Sequence, residues 1–379
     1  MQSKHINLGN LSLNEWGAVF SELGLSTESQ QKVYEAIFYR GINRPEETPG
    51  LTEAESGILS KNTAVHKAHR EQVFRSKDGS IKLTFRLHDG NYIETVIIPE
   101  WEGEVLRKCS ASISSQVGCF FGCSFCATGQ MGFVRNVTTG EFLDQVREAG
   151  QLTRSELGTG LTHLYFMGMG EPLHNYRALS DVLTIMRNYQ APGPPADRIT
   201  VSTVGLYRQI RMLTIDHPEV RLAVSIHSAD QKTRCRIMPV SARLGLPEIR
   251  NALLYHTRQT GRPVTIQYLL LDGINDHRQD AEQLAAWLNG VPAIVTLIMY
   301  NQINASPLHR TESLKLFDFR NFLTDFNIST DIRWCYGEDI EAGCGQLQPV
   351  SGDERKKYSI RHDSQAVEPP EKHSRNGSA

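Results

Sequence analysis

Three of the chain's seven cysteines fall within eight residues, Cys119-Phe-Phe-Gly-Cys123-Ser-Phe-Cys126, in the spacing C-x3-C-x2-C. Three free thiols in one loop would be an oxidation hazard, so thiolates this close together point to a shared metal. Three ligands leave one coordination position open, which makes a centre reactive rather than purely structural. The flanks suit such a loop. Ser114-Ser-Gln-Val-Gly118 reads as a short strand leading in, and Ala127-Thr-Gly-Gln-Met-Gly132 as a Gly-rich loop leading out. A second candidate thiol, Cys344, stands between two glycines in Ala342-Gly-Cys-Gly-Gln-Leu347. That context reads as a flexible loop exposing the sulfur, although an incidental buried cysteine fits the same residues. Cys235, in Lys232-Thr-Arg-Cys-Arg236, has no partner in view and reads as structural.

The elements that must position these thiols follow a strand, loop, helix rhythm from about residue 108 onward. Short apolar runs at 112–118, 161–167, 199–204, 220–226, 264–271 and 293–300 predict strands. Helical patterns lie between them at roughly 139–156, 176–190, 206–214, 247–260 and 278–290. Six such runs alternating with helices predict an α/β fold with a parallel sheet, open or closed as a partial (β/α)6 barrel. In that architecture the working residues sit at the C-terminal ends of strands. The cysteine loop follows the first strand. Later strands end in Met167-Gly-Met-Gly170-Glu171, in Ser202 and Thr203, in Ser225-Ile226-His227 and in Tyr300-Asn301. One polar residue at a strand end is usually a cap, but four such ends around one barrel mouth favour a polar ligand.

Ahead of the barrel, Ser12-Leu-Asn-Glu15 reads as a capping box opening an amphipathic helix to about Gly24. A second helix starts at Ser26, with Val33, Ile37 and Phe38 on its apolar side and Gly41 as its C-cap. A third helical stretch carries Lys61, Lys67, His69 and Arg70, either a solvated basic face or an RNA contact. Residues 81–87 and 92–98 alternate around His88-Asp-Gly-Asn91 and predict a β-hairpin, with Glu94 in its second strand. The expected division is therefore a helical accessory domain over 1–75, a hairpin and connector over 76–107, a barrel over 108–349 and a polar, aperiodic, disordered tail over 350–379.

Bulk composition narrows the classes. A hydrophobic content of 40% with 22% charged residues describes an ordinary soluble globular protein. No apolar run of about 18 residues is present, so no membrane span is expected. The first residues lack the apolar core of a signal peptide, which predicts the cytoplasm, where an odd number of cysteines is harmless and metal or redox roles are favoured. A net charge of −2 requires any nucleic-acid partner to meet a local basic face.

C-x3-C-x2-C after the first strand of such a barrel resembles the radical S-adenosylmethionine (SAM) superfamily. The resemblance implies one [4Fe–4S] cluster held by Cys119, Cys123 and Cys126, with SAM on its open iron and Phe125 against the adenine. Several motifs narrow it. Ser114-Ser-Gln-Val-Gly-Cys119, Gly132-Phe-Val-Arg-Asn136, Phe166-Met-Gly-Met-Gly-Glu-Pro172, Ser225-Ile-His227 and Gly343-Cys-Gly-Gln-Leu347 together resemble the RlmN/Cfr family over most of the chain. That family methylates an adenine ring carbon in RNA, at C2 in rRNA and tRNA for RlmN-type members and at C8 in rRNA for Cfr-type members. C2 is the expectation here.

By the same resemblance, Cys344 takes a methyl group from one SAM and a second SAM supplies the radical, two per turnover. Glu94 is the base that removes the ring proton. SAM contacts fall to Gly170, Glu171, Ser202, Ser225, Ile226, His227 and Asn301. A flavodoxin or ferredoxin donates electrons, and a monomer is expected. A second cysteine then releases the product by forming a disulfide with Cys344. The family carries that thiol seven residues before the first cluster cysteine, where this chain has Ser112. The nearest thiol is Cys109, and the stretch after Pro99 is longer than the family pattern, so Cys109 is the expected substitute, with an external thiol as the alternative. The front helices and the region of Arg135 are the expected RNA surface. Two other readings stay open: a structural zinc in a non-catalytic RNA-binding protein, and a radical SAM enzyme with a different RNA product or a non-RNA substrate such as a peptide.

Overall fold

The computed structural model describes residues 5–188, 191–303 and 306–349. Its frame is one ten-stranded sheet built in two halves. The first half is an antiparallel meander of β1 (His69–Arg75), β2 (Ile81–Arg86), β3 (Tyr92–Glu102) and β4 (Val105–Ser112). A small two-stranded sheet of β5 (Gln116–Gly118) and β6 (Phe133–Asn136) brackets the cysteine loop. The second half is parallel and continues outward from β4 through β7 (His163–Phe166), β8 (Ile199–Thr203), β9 (Arg221–Ser225), β10 (Val264–Leu270), β11 (Ala293–Met299) and β12 (Thr330–Arg333). The helices return the chain between parallel strands, as Thr139–Leu157 does on the way from β4 to β7. These strands are mostly apolar because a parallel sheet covered by helices buries both faces. The expected α/β class and the open barrel are thus present.

Several expectations are corrected. The first barrel strand is β4, not 112–118. Ser110–Ser112 pair with His163–Tyr165, whereas 116–118 leave the main sheet to pair with β6. The hairpin is not a free-standing connector. β3 pairs with β4, so the expected boundary at 107 falls inside a strand that hydrogen-bonds on both sides. His69 and Arg70 lie in β1 and not in a helix. The third helix, Glu53–Asn62, includes Lys61 and starts at a Thr52–Glu55 capping box. The tail expected over 350–379 lies outside the described residues.

The front helices, α1 (Leu13–Glu22) and α2 (Thr27–Phe38), keep the expected starts, with Ser12 and Glu15 forming a capping box. Trp16, Phe20 and Phe38 are almost fully buried and belong to the same apolar cluster as Phe142 and Phe166 of the barrel. Met1–Gln348 accordingly form one compact unit.

Candidate active site

The cysteine loop leaves β5 at Gly118 and is pinned from several directions. Cys119 donates its N–H to the Gly132 carbonyl at 2.9 Å, Ser124 to Ile237 at 3.0 Å and Cys126 to Cys123 at 3.1 Å. Burial pushes all three thiols up, Cys119 to about 12. Among the described residues no three His, Cys, Asp or Glu side chains are gathered to hold a single metal ion. The donor set nevertheless fits an iron–sulfur cluster: three soft sulfurs, close in sequence, that stay neutral in their buried setting until a cationic centre binds and deprotonates them.

The Cys344 segment is docked directly onto this loop. Ala127 donates its N–H to the Gly345 carbonyl at 2.7 Å, and the Thr128 hydroxyl donates to the Leu347 carbonyl at 2.5 Å. The Asn301 amide holds the Cys344 carbonyl at 3.1 Å. Gly345 has φ +83°, and a Cβ there would stand 2.9 Å from the Phe125 carbonyl oxygen, so the close approach of the two segments needs glycine. Cys344 itself is exposed. A cleft opens beside it, with Cys126, Ser112, Asn301 and Val96 among its walls.

Glu94 reaches this region from β3. Side chains alternate along a strand, so Glu94 shares a face with Val96 and Ile98, which line the cleft. It is 2% exposed, sits 3.3 Å from the Lys82 ammonium and accepts the Gln348 N–H at 3.1 Å, next to the Cys344 segment. Burial pushes its carboxyl up, and Lys82 pulls part of that shift back.

The remaining expected residues occupy the ends of β7, β8 and β9. Glu171 is buried, accepting the N–H groups of Leu173 at 3.0 Å and Val204 at 2.8 Å, and burial raises its carboxyl to about 7. Gly170, at φ +91°, packs its backbone against the Gln116 side chain. Ser202 and Ser225 both donate to the Gln267 side-chain oxygen, at 2.8 and 2.9 Å. Ile226 is fully buried and its N–H donates to the Gln267 carbonyl. His227 has φ 56°; its Nδ1 accepts the Leu269 N–H, and burial lowers it to about 3, so the ring is neutral. Phe125 packs edge-on against His227 with centroids 4.9 Å apart.

Two expectations fail on geometry. Cys109 lies three positions from Ser112 on β4, which puts the two on opposite faces. Ser112 pairs with Val96 at the cleft, whereas Cys109 pairs with Pro99 and is fully buried, its thiol pushed up to about 11. Arg135 is no free cation for RNA either. Its guanidinium binds Glu141 at 2.8 and 2.9 Å and Asp89 at 2.5 Å. The residues missed from the sequence include Gln267, whose only signal was an amide inside the apolar strand β10, Lys82, which ion-pairs with Glu94 from the neighbouring strand, and Cys335, whose thiol-bearing position lines the cleft.

A partial parallel barrel with a three-cysteine loop at its mouth defines a radical SAM protein, and residues 113–287 match the Radical SAM superfamily. The chain is similar to a probable dual-specificity RNA methyltransferase RlmN of Salinibacter ruber, 36% identical over 90% of this chain and 92% of that protein. The RlmN of Anaeromyxobacter dehalogenans is also 36% identical, over 91% of this chain and 92% of its own. A solved radical SAM methyltransferase from Sphaerobacter thermophilus superposes with a TM-score of 0.80 at 33% identity, covering 90% of this chain and 99% of that one. The chain belongs to the RlmN family of radical SAM RNA methyltransferases. No helix among the described residues is long and apolar enough to cross a membrane.

Proposed function

We propose that the protein methylates C2 of an adenine in RNA, 23S rRNA or tRNA, through a methylated Cys344, with two SAM molecules consumed per turnover. The observation that carries this reading is the docking of the Cys344 segment onto the end of the cysteine loop through Ala127 and Thr128, with Asn301 beyond β11 holding the Cys344 carbonyl and Cys344 itself exposed. A purine C2 carbon is electron-poor, so direct transfer of a methyl cation to it has the wrong polarity, and covalent catalysis through a thiol avoids that step. When bound to Cys119, Cys123 and Cys126, a [4Fe–4S] cluster supplies the electron that turns SAM into a source of a carbon radical.

The chain's own residues do the rest. Cys344 accepts a methyl group and presents it at the mouth of the barrel. Loss of one hydrogen atom leaves a carbon radical on Cys344, which adds to the ring. The adduct must then give up one electron, which an oxidised cluster on Cys119, Cys123 and Cys126 would take back, and Glu94, held in a buried pocket by Lys82, removes the ring proton. Gly170, Glu171, Ser202, Ser225, Ile226, His227 and Asn301 form the SAM-binding strand ends in this reading, with Gln267 fixing the two serines. The adenine must leave its stack to reach the cleft, which suits a loop or flipped base. A flavodoxin or ferredoxin delivers electrons to a monomeric enzyme, and the front helices contact RNA.

The test is anaerobic purification, iron and sulfide reconstitution, and incubation with a reduced flavodoxin or dithionite, a dithiol, labelled SAM and unmodified rRNA and tRNA. Nucleoside mass spectrometry should find 2-methyladenosine. Its absence from both RNAs would sink the assignment, and 8-methyladenosine would overturn the C2 choice.

A further inference from the structure

We propose that Cys335 is the thiol that releases the product from Cys344, doing what Ser112 and Cys109 cannot. The inference rests on the proposed methylation chemistry. That chemistry leaves the adenine joined to Cys344 through an S–CH2 bond, and a second sulfur must break it.

The cavity decides which sulfur is available. Ser112 faces the cleft and is nine-tenths buried, and its hydroxyl makes no hydrogen bond among the described residues. Its position is right, but an oxygen cannot form the S–S bond. Cys109 points to the other side of the sheet. Cys235 opens onto a separate groove beside Trp287. Three cysteines line the cleft: Cys126, Cys335 and Cys344. Cys126 belongs to the loop proposed to hold the cluster, so one thiol remains.

Cys335 follows β12 at the strand's C-terminal end, the end where barrel sites are built. It is partly exposed, and among the described residues its thiol donates only to the Met299 carbonyl, at a weak 3.9 Å. Burial is the main influence on the Cys335 thiol and pushes it up, and charges on Glu338 and Cys344 push the same way. Arg310 and Arg333 add positive charge on the same side and offset part of that rise.

The step balances. The Cys335 thiolate bonds to the Cys344 sulfur as the Cys344 S–CH2 bond breaks. The bonding pair leaves on the carbon attached to the purine, spreads into the ring, and takes up one proton to give the methyl group. The two sulfurs lose two electrons together and the carbon gains them. An external dithiol of the thioredoxin class, or dithiothreitol in vitro, must then return two electrons to the Cys335–Cys344 disulfide before the next cycle.

The experiment uses reconstituted enzyme with whichever RNA the wild type methylates. If the wild type yields no methyladenosine, the proposed function fails and not this inference. Given wild-type turnover, Cys335→Ser should lose about 100-fold or more of its steady-state product. It should also accumulate a protein–RNA adduct through Cys344, visible on a denaturing gel. Retained methyl transfer onto Cys344 shows that the variant is folded. Cys109→Ser should turn over normally. Adding Ser112→Cys to Cys335→Ser should restore release, which a merely structural role for Cys335 would not explain. Independently, wild type given a one-electron donor for the cluster but no dithiol, and stopped after one turnover, should give a Cys335–Cys344 disulfide peptide by mass spectrometry. Normal turnover without adduct in Cys335→Ser, or a wild-type disulfide that pairs Cys344 with Cys109, overturns the proposal.

Discussion

The ion pair of Glu94 and Lys82 shows how one residue's environment sets its chemistry. Both side chains are almost fully buried, 3.3 Å apart, so neither charge can be met by water. Burial raises the Glu94 carboxyl and Lys82 lowers it, so Lys82 opposes neutralisation of the proposed base. A base works only when deprotonated, so the rate of adenine modification in a single turnover rises with pH through the Glu94 pKa. Replacing Lys82→Met removes the opposing charge and should move that acid limb to higher pH, with Cys344 methylation unaffected. A raised carboxyl pKa gives stability that is complete below the unfolded value near 4.5 and lost as pH rises through the folded value. The Lys82→Met protein should therefore be less stable than wild type by about 3 kcal/mol at pH 8, where a buried charge is left unpaired, and by less at pH 5. Denaturant melts at the two pH values check the stability half. An unshifted rate profile would remove Glu94 from the role of base.

At the scale of elements, two segments far apart in sequence become one site because glycine lets them touch. Gly345→Ala would place a methyl 2.9 Å from the Phe125 carbonyl at a φ that disfavours any side chain. The strain of about 1–3 kcal/mol should fall on the Cys344 segment. Expected are a melting temperature within a few degrees of wild type and a drop of about tenfold or more in methylation of Cys344, read by intact-protein mass spectrometry. Equal losses of both would show that the contact is purely structural. The sequence made these segments recognisable by residue type, because closely spaced cysteines and a cysteine between glycines are local signals. The apolar strands β8 to β11 were legible for the same reason. β4 was not, since Lys108-Cys-Ser-Ala-Ser112 carries little apolar signal and its place in the sheet comes from pairing with distant β7. The same blind spot misassigned Cys109. Proximity in sequence favoured it, but strand parity turned it away from the cleft and strand order brought Cys335 in.

The whole molecule is tied together where composition suggested separable parts. The front helices do not merely abut the barrel. Arg147, on the helix following β6, donates to the Phe38 carbonyl at 3.0 Å, and Asp144 on the same helix accepts the Ala68 N–H at 3.0 Å. Arg177 reaches Glu15 at 3.0 Å from the helix after β7, though that pair is exposed and adds little. Apolar burial contributes more. Trp16, Phe20 and Phe38 are each about 1% exposed, and burying one such side chain is worth about 1.5–3 kcal/mol. Three of them approach the whole net stability of a domain, about 5–15 kcal/mol, before Leu8, Val33 and Leu59 are counted. A chain beginning at residue 63 would expose the barrel surface that these residues cover and should aggregate instead of folding. Limited trypsin digestion of the full chain should likewise give no long-lived fragment starting between Arg40 and Arg75, since nicked protein loses the shared core. A stable fragment from that interval, still able to bind SAM after reconstitution, would show that the helices are a detachable module and that their contacts with the barrel contribute little.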